Sequence, residues 1–300
     1  METKIHSGFV SIIGKTNAGK STLMNKIIGE KISVTSSKPQ TTRNKILSVM
    51  TDDEAQIIFL DTPGFHKPKS KLSEYMLKMI DESLNQIDLI LFVIEPEKKI
   101  SDANNNILEK LKNIASPKIL VINKIDKYKS DRQIILQTIE NYKGCCFKEI
   151  IPLSALTGEN TETLTQLIKK NLPIGPKYFP DDTLTDMPQR QIISEIIREK
   201  ILIYVQDQVP HGIAVEINEM KKRKGKNFID IDAIIYCEKD SHKKIIIGRG
   251  GEMLKKIGQS ARIESERLLA TKLNLKLWVK VKKNWRNNDF YLKQFGYKNN

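Results

Sequence analysis

The octapeptide Gly14-Lys15-Thr16-Asn17-Ala18-Gly19-Lys20-Ser21 constrains this chain more than any other stretch, because it stands between an apolar run at 9–13 and a helical pattern at 20–28. A G-x-x-x-x-G-K-S sequence in that setting joins a strand to a helix start through a loop that cradles phosphates. Its glycines let successive backbone N–H groups converge on the oxygens of a di- or triphosphate, and the helix adds the positive end of its dipole. Lys20 brings a point charge to the β- and γ-phosphates, and the Ser21 hydroxyl reaches Mg²⁺. Gly14, Lys15, Thr16, Asn17, Ala18, Gly19, Lys20, Ser21 and Thr22 are therefore the expected phosphate contacts.

A loop of this kind needs an α/β scaffold, and the first half of the chain has the pattern of one. Strand-like apolar runs at 9–13, 56–60, 87–94, 118–122 and 149–153 alternate with helical patterns at 20–28, 70–86, 102–114, 131–142 and 161–171. That alternation predicts parallel βαβ units in a mostly parallel, doubly wound sheet, with ligands at the carboxyl ends of the strands. The rhythm breaks at 173–188, where Pro173, Pro176, Pro180 and Pro188 disfavour helix and predict a linker. Beyond it the order becomes helix (189–205), strand (213–220), strand (228–237), helix-loop-helix (241–272) and strand (275–281). The expected domains are thus 1–172, a Pro-rich linker 173–188, and an α+β module at 189–300.

Charge is uneven between the two halves. From Met187 onward 24 Lys and Arg stand against 13 Asp and Glu, so +11 of the net +14 lies in the last third. Such a block favours an anionic partner, nucleic acid first and an acidic membrane surface second. No apolar run approaches the roughly 18 residues of a membrane span, and no secretory leader pattern opens the chain, so a cytoplasmic protein is expected. Three cysteines support neither a disulfide framework nor a four-ligand zinc site.

Three further segments name the base. Asp61-Thr62-Pro63-Gly64 ends one predicted strand, where the carboxylate of Asp61 holds a metal through water and the Gly64 amide senses a γ-phosphate. Asn123-Lys124-Ile125-Asp126 ends another. An Asp accepting from N1–H and the 2-amino group selects guanine, because adenine lacks that donor pair; Asn123 completes the ring contact and the stem of Lys124 packs along the base. Ser154-Ala155 ends a third, with the Ala155 N–H expected at the guanine O6. Before the strand-like 46–50, the polar stretch Lys38-Pro39-Gln40-Thr41-Thr42-Arg43 suits an effector loop whose hydroxyl, from Thr42 or its rival Thr41, joins Ser21 on Mg²⁺; residues 65–72 would form a second mobile arm.

In the second module, Ile245-Ile246-Ile247-Gly248-Arg249-Gly250-Gly251-Glu252-Met253-Leu254-Lys255 places a G-x-x-G turn between two helices. Such a turn lets the backbone approach a sugar-phosphate chain, and the flanking isoleucines are expected to floor a groove for about four single-stranded nucleotides, as in KH modules. Ile247, Gly248, Arg249, Gly250, Gly251 and Lys255 are the candidate RNA contacts, with Lys283 and Arg286 added from the tail. Trp285 beside them either stacks on RNA or anchors the tail.

The set Gly14 to Ser21, Gln40-Thr41-Thr42-Arg43, Asp61 to Gly64, Asn123 to Asp126 and Ser154-Ala155 resembles the translation-factor-like class of P-loop GTPases, and a type II KH domain after it is the arrangement of the Era family. The resemblance covers essentially the whole chain; Thr16 and Ala18 stand where that family more often has Pro and Val. It implies slow GTP hydrolysis with Mg²⁺ in which Lys20, Thr42, Gly64 and Asn17 take part. It also implies a monomer that binds single-stranded RNA near the 3′ end of the small-subunit rRNA, assists maturation of the 30S subunit, and touches the cytoplasmic face of the membrane peripherally. Phe65 follows Gly64 where Ras-like enzymes carry a water-orienting glutamine. In similar GTPases an Asn at the place of Asn17 helps to coordinate K⁺, which substitutes for an arginine finger.

Overall fold

A computed structural model describes residues 5–33, 42–65, 70–205 and 212–297. The elements run β1 (Ile5–Ile13), α1 (Lys20–Ile28), β2 (Ile46–Thr51), β3 (Ala55–Asp61), α2 (Lys71–Glu82), β4 (Leu89–Ile94), α3 (Asp102–Lys112), β5 (Lys118–Ile122), α4 (Arg132–Tyr142), β6 (Glu149–Pro152), α5 (Thr161–Asn171) and β7 (Ile174–Gly175). They continue with α6 (Gln189–Tyr204), β8 (Ala214–Lys222), β9 (Phe228–Cys237), α7 (Asp240–Ile247), α8 (Glu252–Leu269), β10 (Lys272–Val281) and α9 (Asp289–Gln294). Packing divides the chain into two units, one of Met1–Pro68 with Met76–Asp186, the other of Lys69–Tyr75 with Met187–Asn300.

β4 shows why the first sheet is covered on both faces. Its sequence Leu-Ile-Leu-Phe-Val-Ile has no polar side chain, and all six residues are fully buried. Leu89, Leu91 and Val93 join a core with Leu23, Met24, Leu164 and Ile168 of α1 and α5. Ile90, Phe92 and Ile94 point the other way, toward Ile80, Ile107, Leu111 and Tyr142 of α2, α3 and α4. A strand that is apolar on both faces fits only where helices cover both. The strand order is β2-β3-β1-β4-β5-β6, parallel from β3 to β6, with β2 antiparallel on the edge. Parallel pairing puts the carboxyl ends of β1, β3, β4, β5 and β6 on one edge, where a doubly wound sheet receives ligands.

The segment read as a linker is largely a strap on the first unit. β7 pairs antiparallel with β1, and Ser7 N donates to Pro173 O. Gln56, buried in β3, accepts from the amides of Tyr178 (2.7 Å) and Phe179 (2.9 Å) and donates to the Phe179 carbonyl (2.8 Å). Thr185 Oγ1 donates to Leu47 O at 2.6 Å. Proline removes helical options but leaves carbonyls for a neighbour to bind, which a count of prolines does not reveal.

The second unit builds a three-stranded sheet, β10-β9-β8, with β9 parallel to β10 and antiparallel to β8. Ile193, Ile197 and Ile201 of α6, Ile246 of α7, and Ile257 and Ala261 of α8 bury one face of it, against Ile231, Ala233, Ile235 and Leu273. β10 starts at Lys272, earlier than expected, because α8 stops at Leu269 and Ala270 takes left-handed backbone (φ 47°). Among the described residues no helix is long and apolar enough to cross a membrane.

The strap yields a test. Gln56→Leu strips three backbone groups of 178–179 of their partner, so the unfolding free energy should fall by about 2 kcal/mol and residues 176–182 should become protease-sensitive. Urea denaturation with limited proteolysis checks this, and parental stability with parental resistance contradicts it.

Candidate functional site

β1 ends at Ile13 and the loop to α1 turns through left-handed backbone at Asn17 (φ 67°) and Gly19 (φ 94°). Gly19 is required twice over, since a Cβ there would also lie 2.2 Å from Asn123 Nδ2. Gly64 backs against the same loop, and a Cβ on it would sit 2.6 Å from Thr16 Cα. Lys20 is buried, and its Nζ donates to the carbonyls of Gly14 (3.1 Å) and Lys15 (3.0 Å). Burial pushes the Lys20 ammonium down to about 8, against the pull of the Asp61 carboxylate.

Ser21, Thr42 and Asp61 come together here. Ser21 Oγ donates to Asp61 Oδ2 at 2.7 Å and lies 3.0 Å from Thr42 Oγ1. Asp61 is fully buried, and its Oδ1 has no hydrogen-bond partner among the described residues. Burial raises its pKa, while the Lys20 charge and the hydroxyls of Ser21, Ser33 and Thr42 oppose the rise. Two hydroxyls and a carboxylate oxygen lacking a partner make a hard-oxygen set suited to Mg²⁺. Thr41, the rival to Thr42, lies outside the described residues, as do 34–40 and, in the second arm, 66–69.

The base-reading loops meet at Asn123, which is buried. Its Nδ2 donates to Ala18 O (2.9 Å), and its Oδ1 accepts from the amides of Lys124 (2.8 Å) and Ala155 (2.9 Å). These bonds add a structural role to two residues expected at the base. Asn123 is a strut between loops in addition to its expected place at the ring, and the Ala155 amide expected at guanine O6 donates to Asn123 Oδ1. Asp126 is half-buried and oriented by Ser154 Oγ, which donates to its Oδ1 at 2.6 Å. Lys124, in left-handed backbone (φ 65°), reaches across the phosphate loop to Asn17 O and pairs with Glu95. Glu95 and Glu97 were missed from the sequence. Their signal is two acids directly after β4, on the edge where ligands gather.

In the second unit α7 ends at Gly248 and α8 begins after Gly251, with Gly248, Gly250 and Gly251 all at positive φ. A cleft of about 540 Å³ opens beside this turn, lined by Gly251, Leu254, Lys255, Gly258, Gln259, Arg262, Leu275 and Leu277. Its apolar floor is of leucines, Leu254 from α8 with Leu275 and Leu277 from β10; Ile247 does not line it, and Ile246 is buried in the core. Periodicity alone did not say which apolar side of α8 faces a strand. Gly250 and Arg249 stand exposed in the turn. Lys283 is exposed, whereas Arg286 is held by Glu238 at 2.6 Å. Trp285 is fully buried and its Nε1 donates to Gly212 O at 2.9 Å, so it anchors the tail, stacking on Tyr297 and meeting Phe295 edge-on.

Comparison with known proteins agrees with this division. A family model described as 50S ribosome-binding GTPase matches residues 9–124, and one described as KH domain matches 208–286. The chain is 54% identical over 291 residues to GTPase Era of Clostridioides difficile (strain 630), covering 97% of this chain and 98% of that protein. It has the same identity and coverage with GTPase Era of Alkaliphilus oremlandii. Among solved structures it is similar to Era in complex with MgGDPNP and nucleotides 1506–1542 of 16S ribosomal RNA, at TM-score 0.94 and 40% identity over 98% of this chain and 100% of that one. A variant of Aquifex aeolicus Era bound to GDP·AlF4⁻ matches with the same TM-score, identity and coverage.

The buried Lys20 gives a pH signature. Its ammonium titrates near 8 in the fold and at 10.5 when free, so unfolding takes up a proton between those values. Stability of the nucleotide-free protein should therefore rise with pH across about 8 to 10.5, by up to about 3 kcal/mol. Urea melts of the parent and Lys20→Met between pH 7.5 and 10 test this; identical slopes in the two proteins would refute it.

Proposed function

The chain belongs to the Era family of GTPases, and from that premise we propose a GTP-driven switch whose KH domain binds single-stranded RNA near the 3′ end of the small-subunit rRNA during 30S maturation. It is a GTPase that converts GTP and water to GDP and phosphate. The observation that carries the reading is the convergence of Ser21, Thr42 and a buried Asp61 beside Lys20, in a chain that pairs this site with a G-x-x-G cleft.

In this reading Gly14 to Thr22 wrap the phosphates, Asp126 reads guanine with Ser154 orienting it, and Asn123 holds the loops that do so. Ser21 and Thr42 hold Mg²⁺, with Asp61 acting through water; the ion supplies charge neutralisation to the β- and γ-phosphates. Gly64 senses the γ-phosphate from its seat against Thr16. Asn17 would help to hold K⁺, which would supply transition-state charge; the exposure of Asn17 in the loop and the lack of a hydrogen-bonding group on the Phe65 side chain support this. Residues 1–172 are the GTPase domain and 189–300 the KH domain. The RNA path runs over Gly248 to Gly251, Lys255 and Arg262, with Lys283 at the rim. The protein acts as a monomer in the cytoplasm; contact with acidic lipid at the inner membrane face rests on the basic charge of the second unit.

Two measurements test this. Single-turnover GTP hydrolysis should be faster in K⁺ than in Na⁺, and equal rates would leave Asn17 to its backbone role. RNA carrying the small-subunit 3′ end should bind more tightly with a non-hydrolysable GTP analogue than with GDP, since linkage is reciprocal. Gly250→Asp, which places a carboxylate in open space at the turn, should weaken that binding by about tenfold or more and leave hydrolysis intact. Unchanged RNA affinity in Gly250→Asp would remove the KH reading.

A further inference from the structure

Glu97, two residues beyond β4, is a carboxylate more tightly fixed than packing requires. Its Oε1 accepts from Tyr142 Oη (2.6 Å) and Asn104 Nδ2 (2.8 Å), both on fully buried residues. Its backbone N–H donates to Thr138 Oγ1 (2.9 Å), and Thr138 Oγ1 in turn donates to its carbonyl (3.0 Å). Burial and the adjacent carboxylate push the Tyr142 hydroxyl far above the usual tyrosine range, so it stays a donor. Helices α3 and α4 thus hold one oxygen and the backbone of this residue. The other oxygen, Oε2, accepts from the Ser101 amide at 3.4 Å and stands 3.8 Å from Lys15 Nζ, which itself donates to Ser101 Oγ at 3.0 Å.

Lys15 is the point at which this restraint acts on the nucleotide loop. Its carbonyl accepts from Lys20 Nζ, and its backbone lies in a parallel bridge with Phe65, where Phe65 N donates to Gly14 O at 3.2 Å. Two residues before Glu97, Glu95 grips Lys124, whose Nζ also donates to Asn17 O. The Glu95-Pro96-Glu97 connection therefore holds the phosphate loop from outside through two lysines, and proline between the acids limits how far either can shift.

We infer that Glu97 is a positioning residue for nucleotide retention, holding the phosphate loop in its binding shape through Lys15. The inference rests on the GTPase reading of the same site. A carboxylate locked by buried donors presents a fixed charge, and a restrained loop loses less freedom when nucleotide binds. The effect belongs to residence time and not to the chemical step, because the contacts of Glu97 run to Lys15, Ser101, Asn104, Thr138 and Tyr142 and not to Ser21, Thr42 or Asp61.

The test uses the full chain and a fluorescent GDP analogue. Glu97→Gln should speed analogue release by roughly fivefold, with single-turnover hydrolysis from a preformed GTP complex held near the parental rate. Lys15→Gln, at a partly exposed position that leaves the α3–α4 anchors untouched, should speed release similarly. The double variant should release no faster than the quicker single, as expected for partners in one interaction. Tyr142→Phe should act in the same direction more weakly. Parental or slower release in a folded Glu97→Gln protein overturns the inference, as do single effects that multiply in the double variant. A parent chain that fails to bind the analogue would instead refute the GTPase reading.

Discussion

Three hydrogen bonds from one buried amide hold the nucleotide site together. Asn123 binds the carbonyl of Ala18 in the phosphate loop, its neighbour Lys124 in the base-reading turn, and Ala155 in the loop after β6. These segments come from the ends of three strands more than thirty residues apart in sequence, and nothing in local propensity brings them into register. A parallel sheet puts them on one edge, and Asn123 then fixes their spacing. Gly19 follows from this, because the side chain of Asn123 occupies the space its Cβ would need. Loss of the amide would leave buried backbone donors unpaired, at about 1–3 kcal/mol each.

Around this strut the protein keeps charges that it does not itself neutralise well. Lys20 is buried with its ammonium pushed down to about 8, and Asp61 is buried with its carboxyl raised. In a structural core such groups would be replaced, because desolvation opposes ionisation of both. Their persistence makes sense where phosphate oxygens supply what the lysine lacks and a divalent cation supplies what the carboxylate lacks. Free energy that stability forgoes at these two groups is then recovered as affinity.

The legibility of the sequence follows the range of the interaction. The strands and helices of the first unit were readable to within a few residues, since each carries its own apolar pattern. Lys118–Ile122 and Thr161–Asn171 match without adjustment. The nucleotide motifs were readable because a phosphate cradle needs glycines and a lysine at set spacing. What escaped depends on distant partners. The strap at 173–186 hangs on Gln56, more than a hundred residues upstream, and Trp285 is buried through contacts with Gly212 and the following helix. The strut role of Asn123 is equally invisible in the tetrapeptide, which does not say which distant loops its amide joins.

The cleft of the second unit has the chemistry that the proposed single-stranded RNA partner would need. Its floor is Leu254, Leu275 and Leu277, which offer contact to base faces but no hydrogen bonds to base edges. Only unstacked bases can lie on such a floor, and a duplex keeps its bases paired and its faces stacked. Lys255 and Arg262 line the same cleft, and Gly251 brings bare backbone to its edge. A Cβ at Gly258 would come within 3.3 Å of Leu277 Cδ1, so the close approach of α8 to β10 depends on that glycine as well. Leucines give affinity for any unpaired base, and cations give affinity for any phosphate. In that reading, choice among sequences would come from the polar side chains that line the cleft, Gln259, Lys255 and Arg262, whose donors and acceptors can distinguish one base edge from another.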